Sequence, residues 1–337
     1  YGGNRTVVTA PTGLNTLNNT TLNEGTFVAA TGENYQRLLA RFTGDASEYD
    51  TPPPAQNTQV SAFNDFEYRF TPTIAALGRA GYQNIRYPSS PAATFAGATW
   101  LVGGQIGTVD PVQPKYFSLE YGKIQGVYGF TGVSQFYLTP TLVFSANASH
   151  GVSSQSQYFQ NSLAASALSP SGGIVDQYTG LPTAFYNPGI GLTNNVYRQH
   201  IYNAGLTDTI PPNSYSLYGF YYEQQSLTPP TTAPTKSAGI SLSYSRDIRP
   251  DLRGSASVGY ANSVNSPVVS PTGISSGATG SFYTVSGQVG VNYLLARNLT
   301  ASLFYTFSYQ SSGTFVTGGR NGDVIANLLQ FQLSKTF

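Results

Sequence analysis

The chain has 337 residues, a net charge of +1, no cysteine and only 9% charged residues. Soluble globular proteins carry about a quarter of their residues as charges, so too few exist here to cover a soluble surface of this size. The 25 Tyr and 19 Phe exclude a disordered polar chain. Near-neutrality excludes electrostatic capture of nucleic acid, and the missing thiols exclude cysteine nucleophiles and thiolate metal sites.

No stretch approaches the roughly 18 consecutive apolar residues of a membrane helix. The best local runs, Thr73–Leu77 and Val324–Leu329, are far shorter. The polar remainder is Ser, Thr, Asn, Gln and Gly rather than Lys and Glu. A membrane-spanning chain of this kind must be a closed β-barrel, which satisfies every backbone group in lipid. The sequence starts at Tyr1 without an initiator Met, a signal peptide or a basic targeting segment. The start therefore reads as that of a mature chain or a fragment.

In chain order, residues 1–32 read as a lead-in or additional strands and residues 33–337 as the barrel. Two Pro turns share a pattern: Phe70-Thr71-Pro72-Thr73 and Leu138-Thr139-Pro140-Thr141. Proline suits a turn and not a ladder interior. Looser turns fall at Ile248-Arg249-Pro250-Asp251 and Ala296-Arg297-Asn298. Alternation of period two, the mark of a strand with one apolar face, is clearest late in the chain. Ala238, Ile240, Leu242 and Tyr244 alternate with Gly and Ser, as do Leu252, Ala256, Val258 and Tyr260. Tyr283–Leu295 and Leu299–Tyr309 repeat the pattern. Between strands lie long connections: Gly44–Asn57, Pro88–Ala93, Ser153–Leu192, Leu227–Thr235, Asn265–Gly280 and Ser311–Asp323. Aromatics near strand ends suit interface girdles; the candidates are Tyr82, Tyr87, Tyr121, Tyr137, Tyr244, Tyr260, Tyr293 and Tyr309.

The fold class expected is all-β: a transmembrane antiparallel up-and-down β-barrel. It has about fourteen strands, with twelve to sixteen admissible. Short periplasmic turns and long extracellular loops place it in the bacterial outer membrane, with lipid as its first partner. The chain ends in Phe337, preceded by Leu333, Phe331 and Leu329 at alternate positions. This ending resembles the signal read by the bacterial barrel-assembly machinery, a second expected partner. Lys335 departs from that signal, but its ammonium can snorkel to water.

Charges inside predicted strands are the candidate functional residues. Glu67, Arg69, Arg79, Glu120, Lys123, Arg198, Glu223, Arg246 and Arg253 should face the lumen or lie near an interface. A lipid-facing Arg or Lys at mid-membrane costs about 2–4 kcal/mol. They read either as a selectivity lining or as paired charges that fill the lumen. Alternation places Arg253 inward and Arg246 outward at a strand end. A Ser–His hydrolase is disfavoured: His150 and His200 are the only histidines, and His150 has Ser149 and Ser153 nearby only as chance allows among so many serines. No histidine spacing suits a metal. Gly103-Gly104 and Gly172-Gly173 lack the Lys-Ser/Thr of a phosphate loop. No enzyme, cofactor or metal is expected. Gln157–Leu168 reads as a short helix in the longest connection, which could set the width of a channel.

The middle of the chain resembles a known family. Leu119-Glu120-Tyr121-Gly122-Lys123-Ile124-Gln125-Gly126 is followed by Phe136-Tyr137-Leu138-Thr139-Pro140-Thr141. Then come Val175-Asp176-Gln177-Tyr178-Thr179-Gly180-Leu181-Pro182 and Asn195-Val196-Tyr197-Arg198-Gln199-His200. This order is similar to the outer-membrane β-barrel porins associated with exopolysaccharide and PEP-CTERM (exosortase) loci. The resemblance runs from about Gln59 to Phe337, and it implies more chain at the N-terminus, an outer-membrane location and a link to polymer export. The function expected is passage of solute or exopolysaccharide through a barrel. The alternative is a non-conducting scaffold barrel that anchors an envelope protein complex, its lumen filled by side chains such as Phe220, Tyr222 and Phe304.

Overall fold

A computed structural model describes residues 2–8, 20–31, 37–50, 56–108, 115–154, 166–168, 174–176, 196–227, 233–270, 273–296, 299–311, 314–315 and 323–335. The chain runs through β1 (Gly2–Val8), β2 (Thr20–Ala30), β3 (Leu38–Asp50), β4 (Asn57–Thr71), β5 (Ile74–Arg86), β6 (Phe95–Thr108), β7 (Lys115–Ile124), β8 (Val127–Tyr137) and β9 (Leu142–Ser154). Two short strands follow, β10 (Ser166–Leu168) and β11 (Ile174–Asp176). It continues through β12 (Val196–Ile210), β13 (Asn213–Ser226), β14 (Thr235–Arg249), β15 (Leu252–Ser270), β16 (Gly273–Ala296), β17 (Leu299–Gln310), β18 (Thr314–Phe315) and β19 (Val324–Lys335).

All but β10 and β11 belong to one 17-stranded sheet. Each strand pairs antiparallel with its neighbours in the chain, β9 passing directly to β12. Setting aside the two-residue β18, which pairs with β16, sixteen long strands remain among the described residues, the upper end of the expected range. Residues 2–8 and 20–30, read as a lead-in or additional strands, lie in this same sheet. The meander ends in β1, paired with β2, and β19, paired with β17; among the described residues no register joins the two. The closed ring expected from the sequence is therefore open at this seam. As an edge strand, β19 is exposed on both faces, Leu328 at 58% and Leu329 at 70%.

The sheet inverts the polarity of a soluble protein. On β14, Ile240 and Leu242 are 52% and 51% exposed while Ser237 is 1% exposed. Registers carry this outer row across β15 to Tyr260 and Val258, β16 to Val285 and Gly287, and β17 to Tyr309 and Phe307. Water would penalise so continuous an apolar surface, whereas lipid favours it. The sheltered inner row is Ser, Thr, Gln, Asn and Gly.

Local chemistry explains the turns. In Thr71-Pro72-Thr73 the Thr73 backbone N–H donates to Thr71 Oγ1 at 3.2 Å. The Thr141 N–H donates likewise to Thr139 Oγ1 at 3.3 Å. A hydroxyl thus does the work of a turn carbonyl, with Pro fixing φ between. On the opposite edge β7 returns to β8 through Gln125-Gly126, with φ of 52° and 78°. Two consecutive positive φ values match the tightest hairpin turn, which favours Gly at its second position.

Three sequence expectations are revised. Asn265–Gly280 is not a loop, because β15 and β16 continue to Ser270 and Gly273. Gly44–Asp50 belongs to β3. Ser166–Leu168 pairs with Ile174–Asp176 as a short hairpin rather than ending a helix; the rest of the proposed helix, from Gln157 onward, lies outside the described residues.

Candidate functional site: the inner face of the sheet

The inner face divides into a charged wall and an uncharged one. On β2–β7 the polar phase of the alternation carries Glu24, Arg41, Asp45, Asp65, Glu67, Arg69, Arg79 and Glu120. Arg69 pairs with Glu67 at 2.6 Å and Arg79 with Asp65 at 2.5 Å. The Arg79 guanidinium also lies 5.2 Å from the Phe63 ring centroid, a cation–π contact. Between Arg79 on β5 and Glu120 on β7, β6 presents Leu101 and Gly103. A Cβ on Gly103 would lie 2.0 Å from Leu119 O, so only glycine lets β6 and β7 approach there. Thr26 Oγ1 donates to Asp45 at 3.2 Å.

The wall formed by β12–β17 carries inner charge only at its short-turn end, where Arg253 grips Asp247 through Nε at 2.6 Å and Nη2 at 3.1 Å. Elsewhere neutral side chains bridge the strands. Ser237 and Ser263 hydroxyls meet at 2.8 Å, Gln288 Nε2 donates to Thr306 Oγ1 at 3.3 Å, and Ser302 donates to Asn292 at 2.6 Å. Tyr218 OH donates to Asn203 at 3.0 Å, and Asn203 donates to Asn147 at 3.1 Å. Tyr222 OH donates to Gln199 at 3.3 Å.

Aromatic rings on this face are seated on glycines of the next strand. Phe220 faces Gly239, Phe304 faces Gly290 and Phe63 faces Gly81. A Cβ on those glycines would stand 2.5, 2.2 and 2.7 Å from the respective ring, closer than any packed contact. The rings therefore lie along the wall in space the glycines vacate. Phe220, Tyr222 and Phe304 are half-buried against it.

At the long-connection edge side chains of both rows pack together. Ile85, Tyr87, Ala93, Val127, Val152 and Val196 form an apolar cluster, Tyr87 and Ile85 each 2% exposed and Val196 fully buried. The turn at Gln125 is tied into it: its backbone N–H donates to Gln83 Oε1 at 3.2 Å, and its side chain accepts from Val152 N at 2.5 Å. The connection around Pro91–Ala93 contributes Ala93 to this cluster; most of residues 153–192, expected to set the width, lies outside the described residues.

The remaining candidates lie on the outer row near strand ends. Lys123 sits 5.7 Å from the Tyr128 ring centroid, Glu223 pairs with Lys236 at 3.7 Å, and Arg198 and Arg246 are exposed. His150 stacks on His200 at 6.2 Å, with Nδ1 3.1 Å from Phe130 O and 3.2 Å from Thr131 Oγ1. Tyr82, Tyr121, Tyr244, Tyr260, Tyr293 and Tyr309 share the outer row, and Tyr260, Tyr283 and Tyr309 join in a belt at 6.1 and 5.9 Å. Tyr87 is buried in the rim cluster, and Tyr137 takes the inner row beside Val133 and Gln135; neither belongs to a girdle. Phe331 and Leu333 are exposed on the outer row of β19, and Phe337 lies outside the described residues. Asp65 and Asp247, the carboxylate partners of Arg79 and Arg253, were not singled out from sequence. Their phase in the alternation, shared with Ser and Gln, was the available signal.

No family model and no curated protein matches the chain. Solved structures with some likeness include the in-vitro folded outer membrane protein OmpT of Vibrio cholerae, at 10% identity over 94% of this chain and 97% of that one, with a TM-score of 0.35. OpdK of Pseudomonas aeruginosa with vanillate has 11% identity over 94% of each chain and a TM-score of 0.34. OccK11 (OpdR) of the same organism has 11% identity over 99% of this chain and 93% of that one, with a TM-score of 0.33.

Proposed function

We propose that this chain is a porin-like β-barrel of the bacterial outer membrane that passes polar solute or exopolysaccharide along its inner face. The observation that carries the reading is the seating of Phe63, Phe220 and Phe304 on glycines. Rings held flat leave a hydroxyl- and amide-lined path beside them, where a filled lumen would have them interdigitate. Outer-membrane placement is supported by the apolar exposed row and by the concentration of short turns at one edge. Exopolysaccharide as cargo rests on the family resemblance of the central segments. The partners are outer-membrane lipid and the barrel-assembly machinery.

The apolar rim cluster around Tyr87 and Val127 favours a second reading, a non-conducting scaffold that anchors an envelope protein complex. Single-channel recording in a planar bilayer separates the two. Stable open steps, blocked when a neutral or anionic oligosaccharide is added, support passage. Silence from protein shown to be folded and inserted rejects it in favour of the scaffold.

A further inference from the structure

The outer face carries a groove of about 690 Å³ near its short-turn edge. It lies where the row Arg246, Gly254, Val291, Leu303 crosses β14, β15, β16 and β17. Gly254 and Ala256 are too small to fill it, and Ile248, Val291 and Leu303 wall it. A Cβ on Gly254 would meet only Ile248, at 3.2 Å. Arg246 stands at the groove, exposed, and among the described residues it has no ion-pair partner. Nearby cations and anions are matched: Arg249 pairs with Asp251 at 3.4 Å, and Asp247 is held by Arg253 on the other face.

An apolar trough with one unmatched guanidinium at its edge is complementary to a molecule with an anionic head and a hydrocarbon tail. We propose that this groove binds a single anionic phospholipid, its phosphate on Arg246 and one acyl chain along Gly254 and Ala256. Guanidinium suits phosphate because its forked donors engage two oxygens at once. The chain gains the apolar contact that the two small residues leave unmade. The site rests on the membrane-barrel reading and is independent of whether the lumen conducts. With the short turns periplasmic, the headgroup belongs to the leaflet that faces the periplasm.

The test is native mass spectrometry of the detergent-folded protein incubated with dioleoylphosphatidylglycerol or dioleoylphosphatidylcholine. One phosphatidylglycerol should survive detergent stripping where phosphatidylcholine does not. Arg246→Gln should lower its retention about tenfold, as expected for losing a charge-assisted hydrogen bond. Ala256→Phe should lower it comparably with Arg246 intact, because the ring occupies the trough. Equal retention of both lipids overturns the proposal, as does wild-type retention by either variant. Flotation with vesicles and heat-modifiable mobility establish folding separately. A wild-type protein that fails to insert rejects the membrane reading itself, whereas an inserted protein without lipid preference rejects only the site.

Discussion

A ring seated on a glycine is sensitive to a single methyl group. In Gly239→Ala the new Cβ would stand 2.5 Å from Phe220 Cε1, and in Gly290→Ala 2.2 Å from Phe304 Cδ1. Each ring must swing off the wall, so each variant should be less stable by about 1–3 kcal/mol, the usual cost of overpacking. Urea unfolding in micelles measures it, and truncating the facing ring to Leu in the same chain should restore part of the loss. The seats were not legible beforehand. Glycines in a strand read as smallness from sequence, and only the register shows which ring faces which glycine. The opposite held for Arg253, whose inward direction followed from simple alternation between Leu252 and Gly254.

Along a strand, introducing an arginine should have unequal costs on the two rows. Leu303 lies on the outer row of β17 and is 44% exposed to what would be lipid, whereas Ser308 lies on the inner row. Leu303→Arg should cost about 2–4 kcal/mol of folding free energy in vesicles, and Ser308→Arg well under half of that, read from denaturant midpoints in lipid. Equal costs would show that neither face meets lipid. Alternation made β14 through β17 readable because a sheet with one apolar and one polar face makes every second residue apolar. The cue disappears where the ladder leaves the apolar zone. Ser266 still pairs with Gly280 and Pro267 with Thr279, yet Ser, Pro and Gly interrupt the alternation there, and the segment reads as a loop. Thr-Pro-Thr announced two turns because its chemistry is local. Gln125-Gly126 made no such announcement, since the Gln is unusual at positive φ.

For the whole molecule, the segregation of inner charge onto β2–β7 sets a field across the inner face, not along it. Asp65, Glu67 and Glu120 face Arg69 and Arg79 there, while β12–β17 offers hydroxyls and amides. Removing Arg79 leaves Asp65 without its 2.5 Å partner. Arg79→Ala should therefore shift the reversal potential of a conducting barrel toward cation selectivity. The shift should shrink as salt rises from about 0.1 M to 1 M, where the screening length falls from about 10 Å to 3 Å. An unchanged reversal potential would place the ion path away from this wall. The glycine seats also bear on descent. Phe220 with Gly239, and Phe304 with Gly290, each bind two adjoining strands into one inherited unit. A lineage that gives the glycine a side chain must shrink the ring in the same step or lose its fit. Homologues should accordingly gain and lose the two residues together, even while the serines around them drift freely.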